Sequence, residues 1–377
     1  MKIAYVTNHD ARDVQSFSGT SYFMSRGLAE FNEVHYIGPL KRRVSRLNKL
    51  RRSYNKRVHQ KKEHCTFYPE ALAGFARAVA DQLHSHPCDI VLSPLWAPLS
   101  RLNGSQPAYI WTDIALSSLA GEYYDKSELS ARGWRQMTAA TLAAVERCER
   151  VFLGSEWARQ RMLQEYPIAP EKIRVLPLGA NIDFVPTRQQ IMQAINGRDF
   201  GEIRLLFIGV DWYRKGAAVA LAVAEGLHAR GVKVRLTLVG SKPPPGTVIP
   251  DYVEMTGFLS KRDVEGRGRL YRLLASAHFF ILPTRAEAFG VPYCEAKAFG
   301  LPCLATRVGP VPELVRDGSD GQTFELGCPI EDYVDHIIAL TRSEEAYRQQ
   351  AIAALNDYHT RFSWDVLTRQ FITEIHC

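Results

Sequence analysis

Short apolar runs alternate along the chain with longer stretches whose apolar residues recur at helical spacing. Apolar runs bounded by polar and glycine-containing segments predict strands, and their regular alternation with helical stretches predicts parallel βαβ units. The strands form two series separated by a Gly/Pro-containing segment at 176–190. The pattern therefore predicts an α/β protein with two Rossmann-like, doubly wound domains joined by a hinge.

The predicted strands are short. Those of the first series lie at 3–6, 34–37, 66–68, 90–92, 109–111, 151–153 and 175–176. Those of the second lie at 205–208, 234–239, 253–255, 279–282 and 303–306. We place the boundary near 185 to 200, with a first domain at 1–185 and a second at 200–355. Such a pair of domains binds ligands at the carboxyl ends of its strands, in the cleft between them.

Length and composition limit the function classes. A chain of 377 residues can form two domains, each with its own core. No apolar stretch approaches the length of a membrane-spanning helix, and the amino-terminal residues lack the apolar region of a secretory signal. The seven cysteines are odd in number and form no C-x-x-C, which indicates reduced thiols rather than a disulfide framework or a zinc site. We therefore expect a cytoplasmic protein.

The net charge of +7 has one local source. Residues 41–62 contain eleven Lys and Arg and no acid, whereas the rest of the chain has more acidic than basic residues. In a helix over 40–58, six apolar residues would fall within about 120°: Leu40, Val44, Leu47, Leu50, Tyr54 and Val58. A narrow apolar stripe in a cationic helix is typical of binding to an anionic membrane surface, here through Arg42, Arg46, Lys49 and Arg52. The alternative is a solvated helix whose stripe packs on its own domain. No aromatic platform accompanies the basic run, so we do not expect nucleic acid as a partner.

The segment at 279–309 has the strongest candidate chemistry. An apolar strand is followed by Glu287, and Gly290 precedes a helical stretch that contains Glu295. A nucleotide diphosphate sugar needs backbone N–H groups at a helix start for its phosphates, and a carboxylate suits its ribose diol. Glu287 and Glu295 can therefore contact the sugar and the ribose. Two solvated glutamates at this spacing would be the alternative interpretation.

Several segments together resemble the family 4 retaining glycosyltransferases of GT-B fold. The stretch from Glu287 to Ala296 carries the resemblance, followed by Gly300-Leu-Pro, by Gly309-Pro-Val-Pro-Glu and by 315–321. Arg214-Lys215-Gly216 belongs to it, as do the segments 154–157, 176–181, 206–209, 239–240 and 256–259. The resemblance covers nearly the whole chain and is densest from 150 to 325.

The resemblance implies site residues and a partner. Glu287 would contact the transferred sugar, Glu295 the ribose hydroxyls, and Lys215 with Arg214 the leaving diphosphate. The remaining donor-binding residues would be Phe289, Gly290, Val291, Gly257, Phe258, Leu259, Gly19 and Asp113. A preorganised ammonium stabilises a leaving group that develops negative charge. No D-x-D motif is present, so we expect no metal or other cofactor. In this family the departing phosphate is thought to take the acceptor's proton, which gives retention without a separate base.

Three positions depart from the family pattern. Val210 stands where an arginine usually follows the first donor-domain strand, which leaves Arg214 as its replacement. The amino-terminal loop contains one glycine, Gly19, rather than adjacent glycines. Asp113 stands near the place of a histidine that often contacts the donor sugar, although a polar residue at a strand end is commonly a cap. These departures leave the base and sugar of the donor open, and neither the acceptor nor the oligomeric state follows from the sequence.

The last segment, 356–377, resembles the family's closing helix, with Ser363 as its N-cap. We expect it to pack on the first domain. Two other function classes stay open at this point. A sugar-nucleotide epimerase has a similar fold but needs no acceptor, and a non-catalytic membrane- or glycan-binding relative would have lost the donor cluster. The expected acceptor is a lipid, a lipid-linked glycan or a saccharide.

Overall fold

The computed structural model describes residues 1–183 and 186–376. The chain divides into two compact units, Met1–Leu178 together with the residues of the last helix from Leu367 on, and Gly179–Val366. The division thus falls just ahead of the predicted boundary at 185–200, and residue 185 itself lies outside the described residues.

The first unit is a parallel α/β layer. Its strands are β1 (Lys2–Val6), β2 (Glu33–Ile37), β3 (Ile90–Ser93), β4 (Ala108–Thr112), β5 (Arg150–Leu153) and β6 (Ile173–Val175). Its helices are α1 (Thr20–Ala29), α2 (Arg46–Val58), α3 (Pro69–Ser85), α4 (Ala131–Arg147) and α5 (Glu156–Glu165). The strands form one sheet in the order β2-β1-β3-β4-β5-β6, all parallel.

The second unit repeats the architecture. Its strands are β7 (Ile203–Ile208), β8 (Val234–Val239), β9 (Val253–Gly257), β10 (Phe279–Leu282), β11 (Cys303–Thr306) and β12 (Gly321–Phe324). Its helices are α6 (Arg188–Asn196), α7 (Ala217–Ala229), α8 (Val264–Ser276), α9 (Val291–Lys297), α10 (Val311–Leu314), α11 (Ile330–Thr341) and α12 (Glu344–Asp357). The parallel order β12-β11-β10-β7-β8-β9 is that of the Rossmann fold, and it reverses direction between β7 and β10. The predicted fold class, two doubly wound Rossmann-like domains, is confirmed.

The central strands are buried on both faces. All residues of β3, β4, β10 and β11 are buried. Helices cover both faces of a parallel sheet, so its strands become continuous apolar runs rather than alternating ones. This is why short apolar runs located the strands in the sequence.

Four sequence-based assignments were wrong in detail. Residues 66–68 are not a strand: Cys65–Phe67 forms a 3-10 turn directly before the proline that starts α3. The strand predicted at 175–176 is the end of β6, which lies at 173–175. The sequence analysis missed β12, because the short run Gly-Gln-Thr-Phe becomes buried only by pairing with β11. Helix α2 begins at Arg46 rather than at residue 40, with Ser45 as its N-cap.

The carboxyl-terminal segment is also more divided than predicted. Helix α12 ends at Asp357, a π-helical turn follows at Tyr358–Phe362, and α13 (Trp364–His376) begins after Ser363, whose hydroxyl accepts from the N–H of Val366 at 3.4 Å. Phe371 of α13 is buried in the first unit, with its ring stacked on Trp111 at 5.4 Å and 5.2 Å from the ring of Phe152. Aromatic packing therefore assigns the end of the chain to the first unit.

Candidate active site

The two loops with the strongest candidate residues follow neighbouring strands. In the second unit β7 pairs with β10, and the direction of strand order reverses between them. Lys215 lies in the loop after β7, and Glu287 lies in the loop after β10. In doubly wound sheets the crevice at such a reversal, at the carboxyl ends of the strands, is where ligands bind. The topology therefore brings these two residues to the expected ligand site of this unit.

Two glycines shape the loop after β7. A Cβ atom at Gly209 would lie 2.9 Å from Cγ of Lys215, so the missing side chain lets the lysine lie directly over the strand end. Gly216 caps α7 with φ +78°, and a Cβ there would lie 1.9 Å from the carbonyl oxygen of Pro283. Any other residue at 216 would clash with the backbone of the loop after β10. Gly209 therefore makes room for Lys215 within its own loop, and Gly216 lets the two loops lie close together.

Lys215 and Glu287 form a buried ion pair. The ammonium of Lys215 donates to Oε1 of Glu287, and the two side chains are 11% and 4% exposed. A charged pair this far from water must be matched closely, because desolvation of each ion has to be offset by its partner and by further hydrogen bonds. The pair places a cation and a carboxylate side by side at the switch point.

Arg214 supports the same loop. Its guanidinium donates to the carbonyl oxygen of Ala286 at 3.2 Å and lies 3.6 Å from a carboxylate oxygen of Asp211. Its own carbonyl oxygen accepts from the N–H of Arg285 at 2.7 Å and from the hydroxyl of Thr284 at 3.1 Å. Arg214 therefore joins the loop after β7 to the residue immediately before Glu287.

Glu295 lies on α9, which Gly290 caps and which carries Pro292 in its first turn. Its side chain is 5% exposed, and Oε1 accepts from the ammonium of Lys261 at 2.6 Å. The sequence analysis missed Lys261. Its only signal was its place four residues after Gly257, in the loop that follows β9.

A second buried lysine, Lys297, anchors α9 through a network of ion pairs. Lys297 has no exposed surface and lies 2.8 Å from Asp320 and 2.7 Å from Asp357, and it donates to the carbonyl oxygen of Leu314. Arg316 contacts the same two carboxylates at 2.8 and 2.7 Å. This network fixes the helix that carries Glu295.

The other donor-binding candidates of this unit lie around these pairs. Phe289 and Gly290 are buried and Val291 is half-buried at the start of α9. Gly257 ends β9 with φ +69°, and Phe258 after it is 66% exposed. Leu259 is half-buried. Phe258 is thus an aromatic face open to solvent at the carboxyl end of a strand.

Two candidates lie in the first unit. Gly19 caps α1 with φ +86°, after Phe17 and Ser18, which are also left-handed. Asp113 follows β4, and its Oδ1 accepts from the N–H of Ile114 at 2.7 Å and from the hydroxyl of Thr112 at 3.1 Å. Burial raises the pKa of Asp113 although these hydrogen bonds lower it. Asp113 therefore has the capping contacts that the sequence left as an alternative.

The apolar stripe of α2 faces solvent. Leu47 and Leu50 are 79% and 71% exposed, and Tyr54 and Val58 lie on the same exposed side. The helix is attached instead through polar residues: Asn48 donates to Glu70 at 2.6 Å, and Asn55 donates to Glu63 at 2.7 Å. The structure contradicts the alternative in which the stripe packs on its own domain.

The other two residues of the predicted stripe lie outside the helix. Leu40 is buried and Val44 is half-buried. The four basic residues proposed for a membrane surface, Arg42, Arg46, Lys49 and Arg52, are all exposed. Arg42 precedes the helix and lies 3.4 Å from the hydroxyl of Thr66.

Within residues 1–183 and 186–376, no three His, Cys, Asp or Glu side chains are grouped so that they could hold a metal ion. In the same residues no helix has both the length and the apolar character needed to cross a bilayer.

The fold is that of the GT-B glycosyltransferases. HepE of Anabaena, solved with UDP and glucose, matches 100% of this chain and 99% of its own with a TM-score of 0.63 and 15% identity. Sucrose-phosphate synthase from Thermosynechococcus elongatus matches 100% of this chain and 98% of its own, with a TM-score of 0.69 and 15% identity.

Family models match both units: "Glycosyltransferase Family 4" at residues 21–184 and "Glycosyl transferases group 1" at residues 202–343. Each unit therefore matches a glycosyltransferase family model. D-inositol 3-phosphate glycosyltransferase of Mycobacterium avium is 25% identical over 239 residues, 61% of this chain and 55% of that protein. N-acetyl-alpha-D-glucosaminyl L-malate synthase of Bacillus anthracis is 30% identical over 147 residues, 38% of this chain and 37% of that protein. The chain thus matches about half the length of the first of these curated relatives, and less of the second.

Proposed function

We propose that this protein transfers a sugar from a UDP- or GDP-sugar to an acceptor hydroxyl, with retention of the anomeric configuration and without a metal ion. The observation that carries the proposal is the buried pair of Lys215 and Glu287 at the switch point of the second sheet. A structural neighbour, HepE, was solved with UDP-glucose, which supports a nucleotide-sugar donor.

The ammonium and the carboxylate of this pair suit the two parts of the donor that the reaction separates, the diphosphate and the sugar. An ammonium group has three donors, so Lys215 can keep one hydrogen bond to Glu287 and offer another to a diphosphate oxygen. Glu287 in turn can accept from a sugar hydroxyl beside the anomeric carbon. As the bond from the anomeric carbon to the diphosphate breaks, negative charge grows on the leaving oxygen, and a fixed cation stabilises it. The acceptor oxygen bonds to the anomeric carbon, and its proton passes to the departing phosphate.

The rest of the donor would be held by the surrounding residues. Glu295 would accept from the ribose hydroxyls, and the exposed ring of Phe258 offers a face for the base. Backbone groups from Phe289 to Val291 would contact the phosphates and the sugar at the start of α9. Gly19 and Asp113 remain proposed donor contacts from the first unit.

The experiment is a donor screen with product analysis. The protein is incubated with UDP- and GDP-sugars, with and without chelator, and free nucleotide is measured. Slow release of nucleotide from one donor, unaffected by EDTA, is the expected result, and the anomeric coupling constant of an isolated product reports retention. Conversion of the sugar without nucleotide release would indicate an epimerase instead. No binding of any nucleotide would support a non-catalytic relative.

For the acceptor we propose a lipid or lipid-linked glycan reached from an anionic membrane surface. The exposed stripe from Leu47 to Val58 supports this, because an apolar face left open on a cationic helix is suited to the headgroup region of a bilayer. At about 100° per residue Arg46 and Arg57 lie on one side of the stripe and Arg51 on the other, where lipid phosphates would be. The protein would then be cytoplasmic and peripheral to the membrane.

A further inference from the structure

Lys261 connects Glu295, the carboxylate proposed to bind the ribose, to Asn181 near the start of the second unit. Its ammonium lies 2.6 Å from Oε1 of Glu295 and 3.0 Å from the carbonyl oxygen of Asn181. The Lys261 side chain is 19% exposed and that of Glu295 is 5% exposed. One cation therefore holds a nearly buried carboxylate and a backbone carbonyl at the same time.

Both ends of this connection are themselves held in place. The carbonyl oxygen of Lys261 accepts from Arg267 at 3.2 Å, and Arg267 also lies 3.4 Å from Asp183. The side-chain oxygen of Asn181 accepts from the indole N–H of Trp364 at 3.2 Å. A lysine side chain is long and flexible. In Lys261, the two partners of the ammonium and the contact of the backbone carbonyl restrict the conformations that the side chain can adopt.

The charge of Lys261 controls what Glu295 can do. A nearly buried carboxylate has to be matched by a counter-charge, because its desolvation must be offset. With the ammonium on Oε1, the remaining lone pairs of the Glu295 carboxylate stay available for the two ribose hydroxyls, since a carboxylate has about four acceptor sites.

We propose that Lys261 is a positioning residue that makes the protein selective for a ribose over a deoxyribose donor. It acts through Glu295, whose carboxylate it pairs with and holds in place for the 2′- and 3′-hydroxyls. The inference rests on the proposed function, in which Glu295 contacts the ribose. A residue that contacted the diphosphate, or that only stabilised the fold, would not discriminate between the two sugars of the nucleotide.

The test compares ribonucleotide and deoxyribonucleotide affinity. Calorimetry gives the Kd of UDP and GDP for the wild-type protein, and the tighter of the two is then compared with its 2′-deoxy analogue. We expect a ratio of at least about tenfold in favour of the ribonucleotide, as for a hydrogen bond to a charged group. In Lys261→Met the ratio should fall to near one, whereas Lys261→Arg should retain most of it.

The matched control is Lys233→Met. Lys233 is an exposed lysine at the amino end of β8, whereas Lys261 follows the carboxyl end of β9, and its replacement should leave both Kd values unchanged. Should Lys261→Met fail to fold, Lys261→Gln keeps a donor for Asn181 without the charge, and the same ratio is measured on it.

The outcomes separate the two proposals. If the wild type binds no nucleotide, the proposed function fails. If the wild type prefers the ribonucleotide but Lys261→Met weakens the binding of both nucleotides equally, Lys261 contacts the phosphates or only stabilises the fold. The inference is then overturned while the proposed function stands. Equal wild-type affinity for the ribose and deoxyribose forms would also overturn it.

Discussion

Lys215 donates a hydrogen bond to Glu287, 72 positions further along the chain, and both side chains are buried. The contact arises because β7 and β10 are neighbours in the sheet although β8 and β9 lie between them in sequence. Gly209 makes room for Lys215 within its own loop, and Gly216 lets that loop lie against the loop after β10. The strand order and the two glycines together assemble the candidate site.

Replacing Lys215 should impair turnover more than donor binding. Lys215→Ala removes the cation that would stabilise the leaving diphosphate, so kcat should fall about 100- to 1,000-fold. Steady-state kinetics with the donor identified by the screen measures kcat and KM separately. The substitution also removes the cation that pairs with Glu287, so thermal unfolding must be followed in parallel. A raised KM with unchanged kcat in folded protein would contradict the assigned role.

Glu295→Ala should weaken nucleotide binding, by at least about tenfold in Kd, because the ribose loses a charged acceptor. Calorimetry with UDP or GDP measures the change in Kd. Glu254→Ala on β9 is the control. Its carboxylate pairs with Arg269 at 2.7 Å at the surface, where such pairs contribute about 0–1 kcal/mol. Equal affinity in the wild type and Glu295→Ala would remove Glu295 from the donor site.

The exposed stripe of α2 should be needed for membrane binding. We expect the wild type to co-sediment with phosphatidylglycerol-containing vesicles and less with neutral ones, because each basic residue near an anionic surface contributes about 1 kcal/mol. Leu47→Ser with Leu50→Ser, or charge reversal at Arg42, Arg46, Lys49 and Arg52, should abolish sedimentation. Since the two leucine and four basic positions are exposed, their replacement should leave the fold intact.

Two results would contradict the prediction of membrane binding. Equal pelleting with neutral and anionic vesicles would show that charge does not direct the binding. Undiminished binding of the serine variant, with normal donor-dependent nucleotide release, would show that the stripe is not the contact surface.

Lys297→Met should destabilise the second unit strongly. It leaves the carboxylates of Asp320 and Asp357 buried with less counter-charge, and breaking a buried ion pair in this way costs about 3–5 kcal/mol. Urea unfolding measures the change in the free energy of unfolding. Lys233→Met, at an exposed position, should change it by less than about 0.5 kcal/mol. A loss below about 1 kcal/mol in Lys297→Met would mean that Arg316, together with Arg361 at Asp357, balances the two carboxylates.

Acid should loosen the attachment of α2 through Glu63. Burial opposes the ionisation of Glu63, but hydrogen bonds from Tyr68, Ser130 and Asn55 outweigh it and lower its pKa. A carboxyl whose folded pKa is lowered contributes stability above its unfolded pKa of about 4.3, and that contribution is lost as the pH falls through the folded value.

The measurement is thermal stability of the wild type and Glu63→Gln between about pH 3 and 6, the range in which an ordinary glutamate titrates. The wild type should lose more stability than the variant as the pH falls, and the difference should be largest near pH 6. Parallel curves for the two proteins would show that Glu63 does not carry this linkage.

The sequence by itself determined the fold class and proposed most of the candidate donor residues. Apolar runs located the strands because parallel strands are buried on both faces, and a local motif around Glu287 and Glu295 located one corner of the site. Each of these signals comes from residues that are close together in the chain. Each can therefore be recognised without knowing which segments are neighbours in space.

Only the tertiary structure decided which residues became partners. The pairing of Lys261 with Glu295, the ion pair of Lys215 and Glu287 and the burial of β12 all depend on contacts between distant segments. Helix α2 is the clearest case: periodicity identified its stripe, but the contacts of Asn48 and Asn55 decided that the stripe faces solvent. A helix can be attached by either face, and the partners that the rest of the fold presents determine which one.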